Sequence, residues 1–365
     1  MFEVSIHNVL PKEIFVLILK KLAYKSICAS SQTCRDWYNI INDFKLIRLS
    51  LCKYLCHEYC IELNLNPNSY FNSTARGSSI IIAGGYTGRK ELSSMEMISE
   101  GSTKNFQQCN NLPEALCSLV LHKNNILYFD SRFCYEIVDG SWKKHSTFVQ
   151  HRGLSSSAVT TNYGTFIFGG PGTGDTYEFL SNESSEWQLG KTKIPGGFYR
   201  GCAITLKSKT EIWLIGGKNT DRRILSFNLE THRFAALPIE LLVGRFDFQC
   251  TFLPNTNKII VTGGFDLNST EILDTVDGTV TKGSPMIFRR SDHGIGIVTV
   301  NGVDRVATFG GRSSRFGHTI RTNYLKSVEI YNSESNKWEN SKFQLKEGKA
   351  YFGFVSVNNK MIMPN

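Results

Sequence analysis

Glycine pairs recur along this chain, each one closing a run of apolar residues: IIIAGG (80–85), FIFGG (166–170), IWLIGG (212–217), IIVTGG (259–264) and VATFGG (306–311). The first glycines stand at 84, 169, 216, 263 and 310, so the last four are spaced by 47 residues and the first gap is close to two such periods. Midway through that gap, NILYFDS (125–131) is a strand-like run that ends in Phe129-Asp130 where the others have Gly-Gly. The chain therefore carries six units, the second degenerate. A fixed period in this range specifies a repeat architecture.

Each unit carries further signals. A glutamate recurs in a second strand-like run, at Glu96, Glu136, Glu178, Glu271 and Glu329, and an aromatic follows in four units, at Trp142, Trp187, Phe234 and Trp338. Short apolar pieces (LVLH, SAVTT, AITL, TFLP, GIVTV) precede the later glycine strands. About four short strands at this period make one propeller blade. The glycines supply positive φ where the chain leaves a strand, and the aromatic fills the wide outer gap between wedge-shaped blades. The first unit begins at its glycine strand, and YFGFVSVNNKMIMPN (351–365) leaves a strand over at the far end. Pairing the two closes the ring. The expected fold class is mainly β: a six-bladed β-propeller of four-stranded blades with a C-terminal strand completing the first, joined to a small N-terminal all-α domain. A seventh, partial blade is the alternative. The pattern of four apolar residues, Gly-Gly, a glutamate strand and then Trp resembles the kelch repeat over roughly residues 76–365. It departs from it at the missing pair of unit two, at Phe234 and in the lack of an aromatic in unit five.

Ahead of the repeats, LPKEIFVLILKKL (10–22) has helical patterning, with Ile14, Ile18 and Leu22 on one face and Pro11 at a first-turn position where its missing N–H costs nothing. Cys34, Trp37 and Ile41 align in the same way further on. A module of some forty residues buries little surface by itself, so its apolar side is expected to pack on a partner. Leu10, Pro11, Ile14, Ile18, Leu19, Leu22, Ile27, Cys34 and Trp37 together resemble the F-box without a gap. That resemblance implies a three-helix module over 8–43 that binds a Skp1-like adaptor, and through it a cullin, with those nine residues as the adaptor-binding set. Residues 44–75 read as a helical connector and 76–365 as the propeller. Within the connector, CKYLCHEYC (52–60) looks like a metal site. Cys52, Cys56 and Cys60 instead form one stripe of a helix with His57 off it, whereas structural zinc wants four ligands. The stripe reads as the packed face of a connector that sets the angle between F-box and propeller.

Two loop sets are candidates for binding. One follows the glycine pairs and includes YTGRKE (86–91) with Arg89 and Lys90, KNTDRR (218–223), and RSSRFGHTIRTNY (312–324) with Arg312, Arg315, His318 and Arg321. The other leads into the inner strands and carries Arg152, Arg200, Arg245, and Arg290 beside Arg289. The recurring arginine has two readings: part of the repeat, bonded to nearby backbone, or a substrate-facing ring of guanidinium groups suited to an acidic or phosphorylated protein segment.

Lys and Arg number 41 against 32 Asp and Glu, a net +9 spread along the chain without a block of like charges. A basic tail for nucleic acid is therefore not expected. IFVLIL (14–19), the longest apolar run, is too short to span a membrane. No signal peptide is visible, and ten irregularly spaced cysteines read as reduced thiols in the cytoplasm or nucleus. No cofactor is expected. The nucleophile-elbow, zinc-protease and phosphate-loop motifs are missing. A kelch-like copper oxidase would need imidazoles converging at one end of the ring. His122, His145, His151, His232, His293 and His318 are the candidates, with His151 and His293 in equivalent loops. The combined architecture resembles the F-box/kelch proteins. It implies a non-catalytic substrate-recognition subunit of a Skp1–cullin–F-box ubiquitin ligase. The alternatives are a kelch scaffold of the actin-binding type and, behind it, the oxidase.

Overall fold

Six four-stranded antiparallel sheets follow one another around a ring in the computed structural model. The chain divides into Met1–Ala75 and Arg76–Asn365. The structure describes residues 78–358 except 100–101, 106–117, 124, 139–140, 153–155, 219–221 and 316–320. The expected F-box helices, the connector with its Cys52, Cys56 and Cys60 stripe, and His318 lie outside the described residues.

The innermost strands of blades 2 to 6 are Ser118–His122, Ser157–Thr160, Cys202–Thr205, Gln249–Phe252 and Gly294–Val300. Blade 1 takes its innermost strand, Gly353–Asn358, from the far end of the chain, and each inner strand lies beside the next around the full circle. Gly353–Asn358 pairs antiparallel with Ser78–Ala83, from Ser78 opposite Asn358 to Ala83 opposite Gly353. The ring closes with six blades, and no seventh is found among the described residues.

The core is a set of clusters, one in each gap between blades. Between blades 2 and 3, Trp187 packs edge-on against Phe129, with ring centroids 5.6 Å apart, and lies 4.7 Å from Phe148. Between blades 3 and 4, Phe166, Phe168 and Tyr177 meet Phe227 and Phe234. Trp338 and Tyr331 of blade 6 pack on Ile260 of blade 5. Gap-filling by the late aromatic thus holds where the aromatic exists. Between blades 4 and 5 it is replaced by Trp213, Leu237, Ile239 and Val280. Each such side chain removed from water contributes roughly 1.5–3 kcal/mol, so the gaps supply the cohesion of the ring.

All five glycine pairs have positive φ. Gly263 shows why: at φ +66° its Cβ would stand 2.4 Å from the Arg290 carbonyl oxygen of the next blade. In the degenerate second unit, Asp130 Oδ1 accepts N–H bonds from Arg132 (2.6 Å) and Phe133 (2.5 Å). This local side-chain turn replaces the glycine turn.

Candidate functional site

Both candidate loop sets lie at one end of the ring, because they bond to each other. Gly264 N–H donates to Arg290 O (2.9 Å) and Phe265 N–H to Phe246 O (3.0 Å), and the same pattern joins Gly217 to Arg245 and Gly311 to Lys349. The second glycine of four pairs, Gly170, Gly217, Gly264 and Gly311, is thus clipped to the loop entering the next blade.

Three of the four recurring arginines do not face this end. Arg152, Arg245 and Arg290 are fully buried. Each lies against the glutamate of its own blade: Arg152 Nε is 3.0 Å from Glu178, Arg245 Nη2 is 2.6 Å from Glu271, and Arg290 Nη2 is 2.9 Å from Glu329. Nη1 of each donates to the carbonyl of the first glycine in the pair, Gly169, Gly263 or Gly310. The glutamate in turn accepts two backbone N–H bonds from the incoming loop, as from Leu242 and Val243 onto Glu271. In blade 1 the pair is Lys349 with Glu96. Burial pushes Arg152 and Arg290 down from the usual guanidinium range, and their glutamates oppose that. The reading of Arg152, Arg245 and Arg290 as substrate contacts is therefore corrected. They staple loop, glycine turn and strand together inside blades 3, 5 and 6. In blade 4, Gly170 N–H reaches Phe198 O, so Phe198 takes the arginine's place. Leu225, opposite Leu214, stands where Glu271 stands opposite Val261. Cation and anion are lost together. Glu136 is not a member of this set, since the register puts Tyr135 at that position.

Arg200 and Arg312 are placed differently. Backbone N–H bonds run Asp247 to Arg200 O (2.9 Å), Asp292 to Asp247 O (3.0 Å) and Tyr351 to Asp292 O (3.4 Å). These four residues form an arc over blades 4, 5, 6 and 1, and all four have positive φ. Arg200 bonds both carboxylate oxygens of Asp247. Arg312 Nε is 2.7 Å from Asp292, its Nη2 is 3.8 Å from Asp247, and its guanidinium lies over the Tyr351 ring. Burial, then the neighbouring Asp247 charge, pushes the Asp292 carboxyl up to about 6, opposed by Arg312. Burial and Asp292 push Tyr351 up to about 12. Two cations thus meet two carboxylates, and Arg200 and Arg312 keep side-chain exposures of 20% and 18%. The sequence reading missed Asp247 and Asp292. An aspartate two residues beyond Arg245 and again beyond Arg290 was the available signal.

At the rim, Arg312–Arg315 and Arg321–Tyr324 form a hairpin added to blade 6, with Arg315 opposite Arg321 in its register. Between this hairpin and the 86–91 loop of blade 1 lies an open groove of about 570 Å³, lined among others by Thr87, Arg89, Lys90, Asn323, Tyr324 and Glu347. Tyr324 sets its wall edge-on to Tyr86 at 5.7 Å. Lys90 pairs with Glu347 at 3.0 Å, and Arg89 is exposed. The histidines of the oxidase reading are scattered: His293 is buried on Thr262, His122 is buried on Thr165, and His151 is exposed. Among the described residues no group of three or more His, Cys, Asp or Glu could hold a metal ion.

Residues 7–52 match the family described as F-box-like. All nine positions read as adaptor-facing, from Leu10 to Trp37, fall inside the F-box-like segment. A solved structure described as "Structure of YjhT" is similar with a TM-score of 0.57 over 67% of this chain and 88% of that chain, at 13% identity. At that identity the likeness is one of fold. No curated protein matches the chain.

Proposed function

We propose that this chain is the substrate-recognition subunit of a Skp1–cullin–F-box type ubiquitin ligase. One observation carries the reading: an F-box-like segment and a closed six-bladed propeller on the same chain. The F-box-like segment binds a Skp1-like adaptor through the face that holds Leu10, Pro11, Ile14, Ile18 and Leu22. The propeller holds a protein target, and the assembly raises the local concentration of target lysines near the charged conjugating enzyme. The chain contributes position and no catalytic residue. Target capture is assigned to the end of the ring that carries Arg89, Lys90, Arg200 and Arg312, whose exposed groove and cationic rim suit an acidic or phosphorylated segment.

The test is co-purification with a Skp1-like adaptor, comparing wild type with the Pro11→Ala/Ile18→Ala double variant. The expected result is adaptor bound by wild type and lost in the variant, with the propeller's thermal unfolding unchanged. Equal adaptor binding by both, or none by wild type, overturns the proposal.

A further inference from the structure

In the gap between blades 4 and 5, two thiols face each other. Cys202 opens the innermost strand of blade 4, and Cys250 lies on the innermost strand of blade 5, 48 residues on. Their Sγ atoms stand 3.0 Å apart, with Cys250 donating to Cys202. That is about an ångström from bonding distance. Ile215, Ile224, Phe248 and Val261 pack around them. Both are buried, with Cys202 at 7% and Cys250 at 8% exposure, so an oxidant that reaches them is a small molecule and not a protein.

We propose that Cys202 and Cys250 are a dithiol that closes to an intramolecular disulfide when the protein meets a hydroperoxide, tying blade 4 covalently to blade 5. The shared hydrogen bond divides the roles. Accepting it from Cys250 lowers the Cys202 thiol, while donating it, together with burial, raises Cys250 well above the usual range. Cys202 is therefore the attacking thiolate. Its sulfur takes the distal peroxide oxygen, the O–O bond breaks, and the leaving hydroxide or alkoxide collects a proton, leaving Cys202 as a sulfenic acid. Cys250 then attacks that sulfur, the S–O bond breaks, and hydroxide leaves with the Cys250 proton as water. With hydrogen peroxide, two thiols and one peroxide give one disulfide and two waters. The tie sits two residues from Arg200 and three from Asp247, so it fixes the strand ends that carry the central ion pair of the candidate binding end.

Cys134 is an internal comparison: burial pushes its thiol up to about 12, and it is expected to resist. The test treats the reduced full-length protein with hydrogen peroxide, alkylates it under denaturing conditions, and maps peptides by mass spectrometry. The expected result is one species lighter by two hydrogens, linked Cys202–Cys250 and reversed by dithiothreitol, with Cys134 still alkylated. In Cys250→Ser, Cys202 is expected to be trapped by a sulfenic-acid reagent. Alkylation of both Cys202 and Cys250 in wild type, at a peroxide dose that oxidises glutathione added to the same solution, overturns the proposal whether or not the variant folds.

Discussion

Arg245 lies wholly inside blade 5 with its Nη2 2.6 Å from Glu271 Oε1, and blade 4 holds Phe198 and Leu225 at the equivalent two positions. A buried ion pair and an apolar pair thus solve one packing problem in adjacent blades. Removing one partner strands the other's charge, at a cost of about 3–5 kcal/mol, whereas replacing both with apolar residues is often neutral or stabilising. Glu271→Leu is therefore expected to lower the urea midpoint sharply. Arg245→Phe with Glu271→Leu, which copies blade 4, is expected to recover most of the loss. A double variant no better than the single would show that the pair does more than balance charge.

Gly263→Ala is expected to destabilise the protein by several kcal/mol, measured as a fall in the urea midpoint. The left-handed conformation costs a non-glycine residue about 1–2 kcal/mol, and a Cβ 2.4 Å from Arg290 O adds a clash with backbone of the next blade that is itself held by the Gly264 N–H. Gly172→Ala is the comparison. It also has positive φ, but nothing lies within 4 Å of its added carbon, so only the conformational cost remains.

Arg89→Glu, at the groove between blade 1 and the added hairpin, is expected to weaken target capture about tenfold or more, equivalent to roughly 1.4 kcal/mol. Thermal stability is expected to stay within about 0.5 kcal/mol, as for most exposed substitutions. Capture assays at rising salt give the second readout, since a charge-based contact is screened. Capture unaffected by both would place the target elsewhere on the ring.

Asp292 predicts a dependence on pH. Burial and Asp247 raise its carboxyl to about 6, with Arg312 opposing, while the unfolded chain titrates near 3.9. Between those values the folded state holds a proton that the unfolded state has released, so stability contributed at low pH is lost as pH rises through about 6. Asp292→Asn has no such proton. Its stability relative to wild type is expected to improve from pH 4 to pH 7, by a difference on the order of 1–3 kcal/mol. A pH-independent difference in thermal unfolding would refute the assignment.

The period of 47 residues and the glycine pairs made the blade count and the ring closure legible, because both follow from chain geometry that repeats. The same regularity misled at the arginines. Arg152, Arg245 and Arg290 look like a ring for a ligand, yet recurrence in step with Glu178, Glu271 and Glu329 is what an intrablade staple produces. Glu136 matched the pattern by letter and missed it by one residue of register, which only the strand pairing reveals. The arc of Arg200, Asp247, Asp292 and Tyr351 was hard to read because it joins residues of four blades through backbone bonds, and the aspartates two residues past Arg245 and Arg290 were its trace along the chain.

The pairing of Gly353–Asn358 with Ser78–Ala83 also fixes an order of events during biosynthesis. Ser78–Ala83 emerges from the ribosome early, and its five residues from Ser79 to Ala83 are all destined for burial. Its partner emerges some 275 residues later, a wait on the order of fifteen seconds to a minute at about 5–20 residues per second. For that interval an apolar strand has an unpaired edge, the kind of surface that recruits other chains. A nascent chain stalled before Gly353 would keep this edge open for good, so chaperone occupancy of unfinished chains is where the architecture places its greatest demand on the cell.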